Sequence, residues 1–368
     1  MSMIEKIDAY KVRCPLREPF KISTHVFNET VGVIIRLTAD DGTVGWGEAI
    51  HLDTPWFTHE SLESGYLLLR DQFLPAIHRV QAASIEELRT TFRWVQGNNQ
   101  SLGGIDSALA DIAAQQAGLP LYRYLGGTTN RVAVGTSLGI KPEEELFRSV
   151  EKSQRDGYRR IKIKIQPGKD AEMIAGIRSR FPDLGIMVDA NAAYTLEDLL
   201  MFRRMDELGL LMIEQPLANG DLVDHATLQK QLQTPLCLDE SAKNLDEVKS
   251  AAALGSARII NIKPPRVGGP GRVVEMLAFI REAQLGAWIG GMMETGVGRL
   301  LNAACGTLAG INYPGDLRPP LDYLALDIVD NRFDIVDGDL VLDETPGLGA
   351  LVNEERLLRF SVDSFSLC

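Results

Sequence analysis

The amino-acid sequence predicts an α/β protein built around a closed barrel of alternating strands and helices. Short apolar runs alternate with helical patterns from about residue 132 to residue 290. Five successive runs end in a charged residue, at intervals of 24 or 25 positions. These residues are Lys164, Asp189, Glu214, Asp239 and Lys263. A strand-plus-helix unit of ~25 residues that recurs about six times indicates a parallel sheet closed into a barrel.

The first 125 residues follow a different pattern and predict an α+β domain. Apolar runs at 31–37 and 44–48 flank Asp40-Asp41-Gly42, which is typical of a hairpin. Helical patterns follow at 58–78, 85–97 and 104–117, and Gly118-Leu119-Pro120 ends the last one. Hairpin-like turns recur after about residue 330. We therefore predict a capping domain at 1–125, a barrel at 126–330 and a C-terminal segment at 331–368 that returns to the cap.

The barrel elements can be placed from the spacing of apolar residues. The predicted strands are 132–137, 160–165, 185–190, 210–214, 235–239, 258–263 and 286–290. The predicted helices are 142–156, 170–181, 195–208, 221–232, 244–254 and 270–284. An open, doubly wound sheet is the alternative, but it binds its ligand at one switch point near two strands. Charges at the ends of five successive strands favour the closed ring.

The composition excludes several classes of partner. The net charge of −12 argues against a nucleic acid or an anionic membrane, since both require a basic surface. The four cysteines are far apart in the sequence, which fits a reducing compartment better than a disulfide framework. The N-terminus has no apolar signal core, and no run approaches the ~18 apolar residues of a membrane span. We expect a cytoplasmic protein that acts on a small molecule.

Three of the recurring charges predict a metal site. Side chains at the C-terminal ends of barrel strands converge on one face, so Asp189, Glu214 and Asp239 should lie close together. Such close carboxylates require a cation to remain ionised. Three oxygen ligands without His or Cys suit Mg²⁺ or Mn²⁺. Any one carboxylate alone could equally cap a helix N-terminus.

The lysines predict proton transfer. Lys162 and Lys164 lie on one face of their strand, because strand side chains alternate, and the isoleucines between them should face the helices. Lys263 ends a strand beyond the carboxylates, so Lys164 and Lys263 could address opposite faces of a bound carbon acid. Neighbouring cations should lower the pKa of such lysines and make a neutral base accessible. The metal would hold a small-molecule carboxylate substrate and stabilise the enediolate formed when its α-proton leaves.

On these residues the sequence resembles the enolase superfamily, specifically its muconate-lactonizing subgroup, over nearly the full length. The matching motifs are Lys162-Ile163-Lys164, Asp189-Ala190-Asn191, Glu214-Gln215-Pro216, Asp239-Glu240-Ser241, Asn261-Ile262-Lys263 and Gly45-Trp46-Gly47-Glu48. Finer motifs resemble the o-succinylbenzoate synthase/N-succinylamino acid racemase branch. They include Thr136-Ser137-Leu138-Gly139-Ile140, Arg266-Val267-Gly268-Gly269, the run from Gly290 to Arg299, and Pro314-Gly315-Asp316.

The resemblance implies a modified TIM barrel of (β/α)7β type, with an α+β cap that the C-terminal tail completes. It also implies roles for individual residues: Lys164 and Lys263 as the acid/base pair, Asp189, Glu214 and Asp239 as Mg²⁺ ligands, and Lys162 as an electrostatic aid. The implied lining of the site comprises Ser137, Asn191, Glu240, Gly291, Met292, Met293 and Glu294. Members of such families are often assemblies, so a homo-oligomer is expected.

Departures from the family pattern concern substrate choice. The cap loop at 20–30, with His25 and Phe27, is unfamiliar, and in this family that loop selects the substrate. Pro264-Pro265 after the second lysine indicates a reshaped loop. No histidine ends a late barrel strand, which disfavours a mandelate-racemase type of base, and His225 is expected on a helix surface.

The predicted activity is Mg²⁺-dependent α-proton abstraction, as an o-succinylbenzoate synthase, an N-acylamino acid racemase, or both. A dipeptide epimerase or a muconate-type cycloisomerase is the alternative, with Asp316 or Asp322 as candidates to bind an amino terminus. A Schiff-base aldolase that uses one of the lysines is more remote, because it needs no carboxylate cluster. A non-catalytic binding protein is equally remote, because none of the five charged positions is missing.

Overall fold

A computed structural model of the chain describes residues 3–22, 25–80, 85–168 and 170–368. The cap strands are β1 (Ile4–Lys21), β2 (Val26–Ala39), β3 (Val44–His51) and, from the far end of the chain, β14 (Ser361–Leu367). They form an antiparallel sheet in the order β14-β1-β2-β3. The cap helices are α1 (Leu62–Leu68), α2 (Leu74–Val80), α3 (Ile85–Phe92), α4 (Asn99–Gln116) and α5 (Leu121–Tyr124). A π-helical turn at Leu69–Phe73 joins α1 to α2.

The sequence did not predict β1, and it predicted a loop at 20–30 where the structure has the end of a hairpin. In β1 the buried, charged Asp8 interrupts the alternation of apolar residues. The hairpin continues to the pairs Phe20↔Phe27 and Lys21↔Val26, so most of the predicted loop lies in β1 and β2. Residues 23 and 24 of that predicted loop lie outside the described residues.

In the described part of the chain, eight parallel strands form the barrel. They are β4 (Arg131–Leu138), β5 (Arg160–Lys164), β6 (Ile186–Asp189), β7 (Ile213–Glu214), β8 (Leu236–Leu238), β9 (Ile259–Ile262), β10 (Gly286–Ile289) and β11 (Gly315–Asp316). Strands β4 to β10 pair in sequence order, and β11 pairs with β4. Asn312 N donates to Ala287 O (2.9 Å), which joins the segment before β11 to β10 and closes the ring.

Helices cover the outside of this ring. They are α6 (Glu143–Arg155), α7 (Asp170–Arg180), α8 (Leu199–Asp206), α9 (Leu222–Gln229), α10 (Leu245–Leu254), α12 (Pro270–Glu282) and α13 (Gly296–Gly306). A short helix, α11 (Pro264–Val267), begins immediately after Lys263, because two prolines occupy its first positions. The strands are buried on both faces, as expected for a parallel sheet beneath helices.

The chain end contributes to both parts of the molecule. Two short strands, β12 (Ile335–Val336) and β13 (Asp339–Val341), extend the barrel sheet from β4. Helix α14 (Glu354–Phe360) then leads into β14, which pairs with β1 of the cap. The proposed division at residues 125 and 330 stays a prediction. None of the described helices is long and apolar enough to cross a membrane.

Glu48 fastens the cap to the barrel. Its buried carboxylate, on β3, accepts hydrogen bonds from Thr295 N (3.1 Å), Thr295 Oγ1 (2.6 Å) and Gly298 N (2.8 Å). These donors lie at the start of α13, where free backbone N–H groups favour an anionic partner. Burial nevertheless raises the pKa of Glu48 to about 7, although the bonds from Thr295 and Gly298 oppose the shift. The contact holds the cap over the end of the barrel that carries the charged strand ends.

Candidate active site

The charged residues converge at the C-terminal ends of the barrel strands, but they do not all stand at the same level. Lys164, Asp189 and Glu214 stand opposite one another on β5, β6 and β7. The residue of β8 that stands opposite Glu214 is Cys237, however, and Asp239 lies just beyond the last residue of β8. Equal spacing in sequence therefore does not give equal height in the barrel, because adjacent strands are staggered when a sheet closes.

Lys162 occupies the centre of the site. Its Nζ lies 2.7 Å from Asp316 Oδ2 and 3.2 Å from both Asp189 Oδ2 and Glu214 Oε2. The Trp288 ring centroid lies 5.0 Å from the same nitrogen. Burial alone would lower the pKa of Lys162, but the three carboxylates raise it well above its ordinary value. Lys162 is therefore a fixed positive charge among the three carboxylates.

Lys164 lies beside the metal-ligand candidates. Its Nζ donates to Asp189 Oδ2 (2.6 Å) and to Asn191 Oδ1 (2.7 Å). Asn191 Nδ2 in turn donates to Glu240 Oε1 (3.1 Å). Asn191 adopts a left-handed backbone conformation, with φ of 43°. This geometry turns its amide to the ammonium group, so Asn191 orients Lys164.

Lys263 lies on the opposite side of the carboxylates. Its Nζ donates to Asp239 Oδ2 (2.9 Å), and Arg266 Nη1 pairs with the other oxygen of the same carboxylate. The Phe57 ring, from the cap, stands 4.5 Å from the Lys263 nitrogen. Burial would raise the pKa of Asp239, but Lys263 and Arg266 hold it below its ordinary range. Lys263 is thus positioned by a barrel carboxylate below and a cap aromatic ring above.

Glu214 accepts few hydrogen bonds to offset its buried charge. Asn261 Nδ2 donates to Glu214 Oε1 (2.7 Å), whereas Oε2 makes no hydrogen bond among the described residues and lies 3.2 Å from Lys162 Nζ as an ion pair. Burial and the negative charge of Asp189 raise the pKa of Glu214 to about 8, with Lys162 opposing. Glu240 behaves similarly: burial and Asp239 raise its pKa to about 7. Negative charges are therefore crowded here beyond what the local cations offset.

The donor set fits a divalent cation in its chemistry. Asp189, Glu214 and Asp239 are almost completely buried, follow three neighbouring strands, and repel one another electrostatically. Glu214 Oε2 makes no hydrogen bond among the described residues and is paired only with Lys162 Nζ, and carboxylate oxygens are the ligands that Mg²⁺ prefers. The oxygens of Asp189 and Asp239 face ammonium and guanidinium groups. Over the described residues, no group of three His, Cys, Asp or Glu side chains is already arranged to hold a metal. Binding would therefore require these ion pairs to rearrange.

Two cavities are lined by the site lysines, and a third adjoins them. An inner cavity of about 90 Å³ is lined by Lys162, Lys164, Lys263, Gly291 and Met293, among others. A second cavity of about 90 Å³ is mostly apolar. Its lining is Phe20, Ile22, Phe27, Leu52, Trp56, Phe57, Lys164, Asn191, Lys263, Gly291, Met292 and Met293. The third, of about 520 Å³, shares Phe20, Ser137, Arg318 and Tyr323 with the inner one.

Several residues predicted from the sequence have other surroundings. Glu294 faces away from the cavities, because its carboxylate accepts from Met292 N (2.8 Å) and Asn302 Nδ2 (2.7 Å) and pairs with Arg299. His25 stacks on Trp56, with centroids 4.3 Å apart, and so supports the apolar wall from behind. The expectation of a surface position for His225 was wrong.

His225 is fully buried. It accepts a hydrogen bond from Leu217 N and contacts Asp221 O, which fixes the loop after β7.

Other contributors were missed because they come from distant parts of the chain. Arg160 is completely buried, donates to Asp316 Oδ1 (2.7 Å), and stacks on Trp288. Phe57 and Trp56 reach the site from the loop after β3. Arg160 precedes Lys162 by two residues in the same strand, so the alternation of strand side chains could have placed it on the face of the lysines. Nothing in the local sequence identifies the aromatic pair.

Comparisons with known proteins agree with this geometry. Residues 5–126 match the family model described as the mandelate racemase/muconate lactonizing enzyme N-terminal domain. Residues 145–356 match the enolase C-terminal domain-like family.

Individual relatives extend the match over the whole chain. An o-succinylbenzoate synthase from Bacillus subtilis is 38% identical over 360 residues, which cover 98% of this chain and 97% of the relative. An N-succinylamino acid racemase from Thermus thermophilus is 38% identical over 347 residues, 94% of each chain. The crystal structure of an enolase-superfamily member from Listeria innocua superposes with a TM-score of 0.96 at 33% identity, covering 100% of this chain and 99% of that one.

Proposed function

The chain belongs to the mandelate racemase/muconate lactonizing enzyme family of the enolase superfamily, and we propose that it abstracts the α-proton of a carboxylate substrate. The substrate is an N-acylamino acid, which the enzyme racemises, or the precursor that is dehydrated to o-succinylbenzoate. The observation that carries this proposal is the placement of Lys164 and Lys263 on opposite sides of one carboxylate cluster, lining one cavity.

Asp189, Glu214 and Asp239 would hold the Mg²⁺ ion that enolase-superfamily members generally use. When bound, a divalent cation would orient the substrate carboxylate and offset the charge that develops as the α-proton leaves. The chain's own residues do the rest. Lys164 and Lys263 exchange the proton at the α-carbon, one on each face. Lys162 supplies a fixed positive charge from below, held in place by Asp316 and Trp288.

The cap excludes water and shapes the rest of the substrate. Phe57 covers Lys263, while Trp56, Phe27 and the two methionines form an apolar wall beside both lysines. Such a wall suits the apolar side chain of an amino acid or the ring of an o-succinylbenzoate precursor. Excluding water strengthens every charge interaction at the reacting carbon.

The dipeptide alternative has weaker support. Asp316, one candidate to bind an amino terminus, is already paired with Arg160 and Lys162. Asp322, the other, accepts a hydrogen bond from Tyr158 (2.9 Å) and lies in the outer cavity among several cationic side chains. A free ammonium group would meet those cations. An N-acylated substrate, which carries no such charge, avoids this conflict.

Proton exchange in D₂O tests the proposal directly. The full chain is incubated with Mg²⁺ and a panel of N-acylamino acids, and α-deuterium incorporation is followed by NMR. We expect exchange with at least one N-acylamino acid and racemisation at a comparable rate. A parallel assay follows o-succinylbenzoate formation by absorbance. Exchange with dipeptides alone, or with no compound in either assay, would reject the proposed substrate class.

A further inference from the structure

The loop between β3 and α1 places an aromatic ring over one of the two lysines. This covering loop comprises residues 52–61, and a hydrogen bond from Leu62 N to Leu52 O (2.8 Å) closes its base. The centroid of its Phe57 ring lies 4.5 Å from Lys263 Nζ. Every residue of the covering loop is described, and none lies in a helix or a strand. Contacts made by its side chains must therefore fix the position of the ring.

Glu60, near the end of the covering loop, ties the loop to the start of α4. Its buried carboxylate accepts hydrogen bonds from Gln100 N (2.7 Å), Ser101 N (2.9 Å) and Ser101 Oγ (2.6 Å). The first N–H groups of a helix have no partner within the helix. Asn98, at the N-cap position of α4, makes no capping hydrogen bond with its side chain and has a left-handed backbone, with φ of 57°. Glu60 therefore supplies the cap that the sequence of α4 lacks.

Gln100 makes a second connection between the same two segments. Its side-chain oxygen accepts a hydrogen bond from the hydroxyl of Thr58, the residue that directly follows Phe57. Its side-chain nitrogen donates to Ile50 O (2.7 Å), at the end of β3. Because Glu60 holds the backbone of Gln100, the two connections form one buried network, and removing the carboxylate would leave buried N–H groups without an acceptor.

Helix α4 is in turn fixed to the end of the barrel that carries Lys263. Asp106 Oδ2 accepts a hydrogen bond from Gly271 N (3.0 Å), at the start of α12. Gly103 lies so close to α11 that an added Cβ would stand 3.1 Å from Pro265 O. Helix α11 begins directly after Lys263. The cap of α4 therefore connects the covering loop to the segment that follows this lysine.

The two lysines differ in how much they depend on the covering loop. Both line the apolar cavity. Lys164 is oriented by Asp189 and Asn191, which belong to the barrel. Lys263 also has a barrel partner, but the Phe57 ring stands over its ammonium group. An aromatic face stabilises a cation and excludes water, so displacing the covering loop should disturb proton transfer at Lys263 far more than at Lys164.

We propose that Glu60 is a positioning residue for proton transfer at the Lys263 face, because its carboxylate holds the covering loop on α4 and thereby keeps Phe57 over the ammonium group. Glu60 acts through Phe57 and not on the substrate. The role of Lys263 in this inference rests on the proposed function, whereas the contact between the covering loop and α4 does not. The two parts can therefore be tested separately.

Hydrogen exchange measures the contact between the covering loop and α4 without any substrate. Full-length wild type, Glu60→Ala and Glu60→Gln are compared by mass spectrometry of peptides that span residues 52–62. Exchange in these peptides should be about 5- to 30-fold faster in Glu60→Ala, the effect of losing a helix cap. Glu60→Gln should lie between this variant and the wild type, because its amide oxygen still accepts a hydrogen bond.

Asn353→Ala is the matched control for the loss of a cap. Asn353 Oδ1 accepts from Arg356 N (3.1 Å) at the start of α14, which leads into β14 of the cap sheet. This variant loses a capping hydrogen bond of the same kind, but it leaves the contacts of Glu60 in place. Exchange in residues 52–62 should therefore equal that of the wild type.

Incorporation of α-deuterium in D₂O measures the effect on each lysine. Glu60→Ala is combined with Lys164→Ala, in which Lys263 remains, and with Lys263→Ala, in which Lys164 remains. Each double variant receives Mg²⁺ and the enantiomer of an N-acylamino acid that its parent exchanges. Glu60→Ala should slow exchange by Lys263 about 10- to 100-fold and exchange by Lys164 less than about threefold, because misplacement affects the face that Phe57 covers. Asn353→Ala, in the same two backgrounds, should change neither rate.

The outcomes separate this inference from the proposed function. Unchanged hydrogen exchange at residues 52–62 in Glu60→Ala, or equal slowing of the two lysines, would overturn the positioning role. If Glu60→Ala does not fold, Glu60→Gln takes its place in both measurements, and the same two results count against the inference. Absence of α-proton exchange with every N-acyl compound would reject the proposed function, while hydrogen exchange would still decide whether Glu60 holds the covering loop.

Discussion

Replacing Asp316 by asparagine tests how the site is held together. The Asp316 carboxylate pairs with Arg160 and Lys162, each at 2.7 Å. The Arg160 and Lys162 side chains are 0% and 4% exposed. Burial opposes ionisation, but these two cations hold the pKa of Asp316 far below its ordinary range. Asp316→Asn keeps the shape and removes the charge, which leaves a buried arginine without its carboxylate.

The expected cost follows from that burial. Breaking a buried ion pair by removing one partner costs about 3–5 kcal/mol in free energy of unfolding, because the remaining charge stays desolvated. Asp339 is a matched control, since it also pairs with two cations, Arg131 and Arg159, each at 3.2 Å. Those arginines are 40% and 50% exposed, so Asp339→Asn should cost about 1 kcal/mol or less.

Urea unfolding followed by circular dichroism measures both costs. The deficit of Asp316→Asn should persist in 1 M salt, whereas any deficit of Asp339→Asn should largely disappear, because salt screens exposed charges. Equal costs for the two variants, or a salt-sensitive cost for Asp316→Asn, would refute the reasoning. Lys162 would then not depend on Asp316 for its position.

Three further predictions concern the rest of the molecule. Burial lowers the pKa of His51 to about 3, so folding favours the neutral ring. The free energy of unfolding should therefore fall as pH decreases below about 6.5, by up to about 1.4 kcal/mol per pH unit from this group. In His51→Leu, urea unfolding at several pH values should show a pH dependence that is smaller by this amount. Gly47→Ala should lower the free energy of unfolding by about 1–3 kcal/mol or more, because the new Cβ would lie 2.0 Å from Gly104 O. Gly176→Ala, within α7, should raise it by up to about 1 kcal/mol, because alanine favours a helix over glycine. Thermal unfolding of the two variants measures both changes. Adding Mg²⁺ should raise the melting temperature of the wild type and leave that of Asp239→Asn nearly unchanged, and an equal rise in both would argue against Asp239 as a ligand.

The barrel could be predicted because its strands are buried on both faces. Such strands appear in the sequence as continuous apolar runs, and a charged residue at the end of each run lies at the C-terminal end of the parallel sheet. The shift at β8 could not be predicted in the same way. There Cys237, not Asp239, stands opposite Glu214, because the stagger of a closed sheet is a property of the whole ring.

The cap was harder to predict because a buried face of its strands contains a charged residue as well as apolar residues. Asp8 is buried in β1 and accepts from Ser366 Oγ of β14 (2.6 Å), so a charged residue occupies an interior position. Ser366 is 358 residues away in the chain, and no local pattern reveals this contact. A long hairpin with such a residue does not show the clean alternation that identifies strands.

The residues of the candidate site also fall into two groups: those that a local sequence pattern reveals and those that only long-range contacts place there. The strand-end charges carry a local signal, and the five of them identify the half-reaction. Phe57 and Arg160 enter the site through contacts between distant segments, such as the pair between Arg160 and Asp316. The cap residues that we propose to contact the apolar part of the substrate are of this second kind. A homo-oligomer and a cytoplasmic location stay predictions.

The central claim is that Lys164 and Lys263 serve opposite faces of one α-carbon. The most direct measurement is α-deuterium incorporation in D₂O by Lys164→Ala and Lys263→Ala, each supplied separately with the two enantiomers of an N-acylamino acid that the wild type racemises. Each variant should exchange the α-proton of one enantiomer only, the two variants should choose opposite enantiomers, and neither should racemise. If either variant still racemises, or if both exchange the same enantiomer, the two lysines do not act on opposite faces.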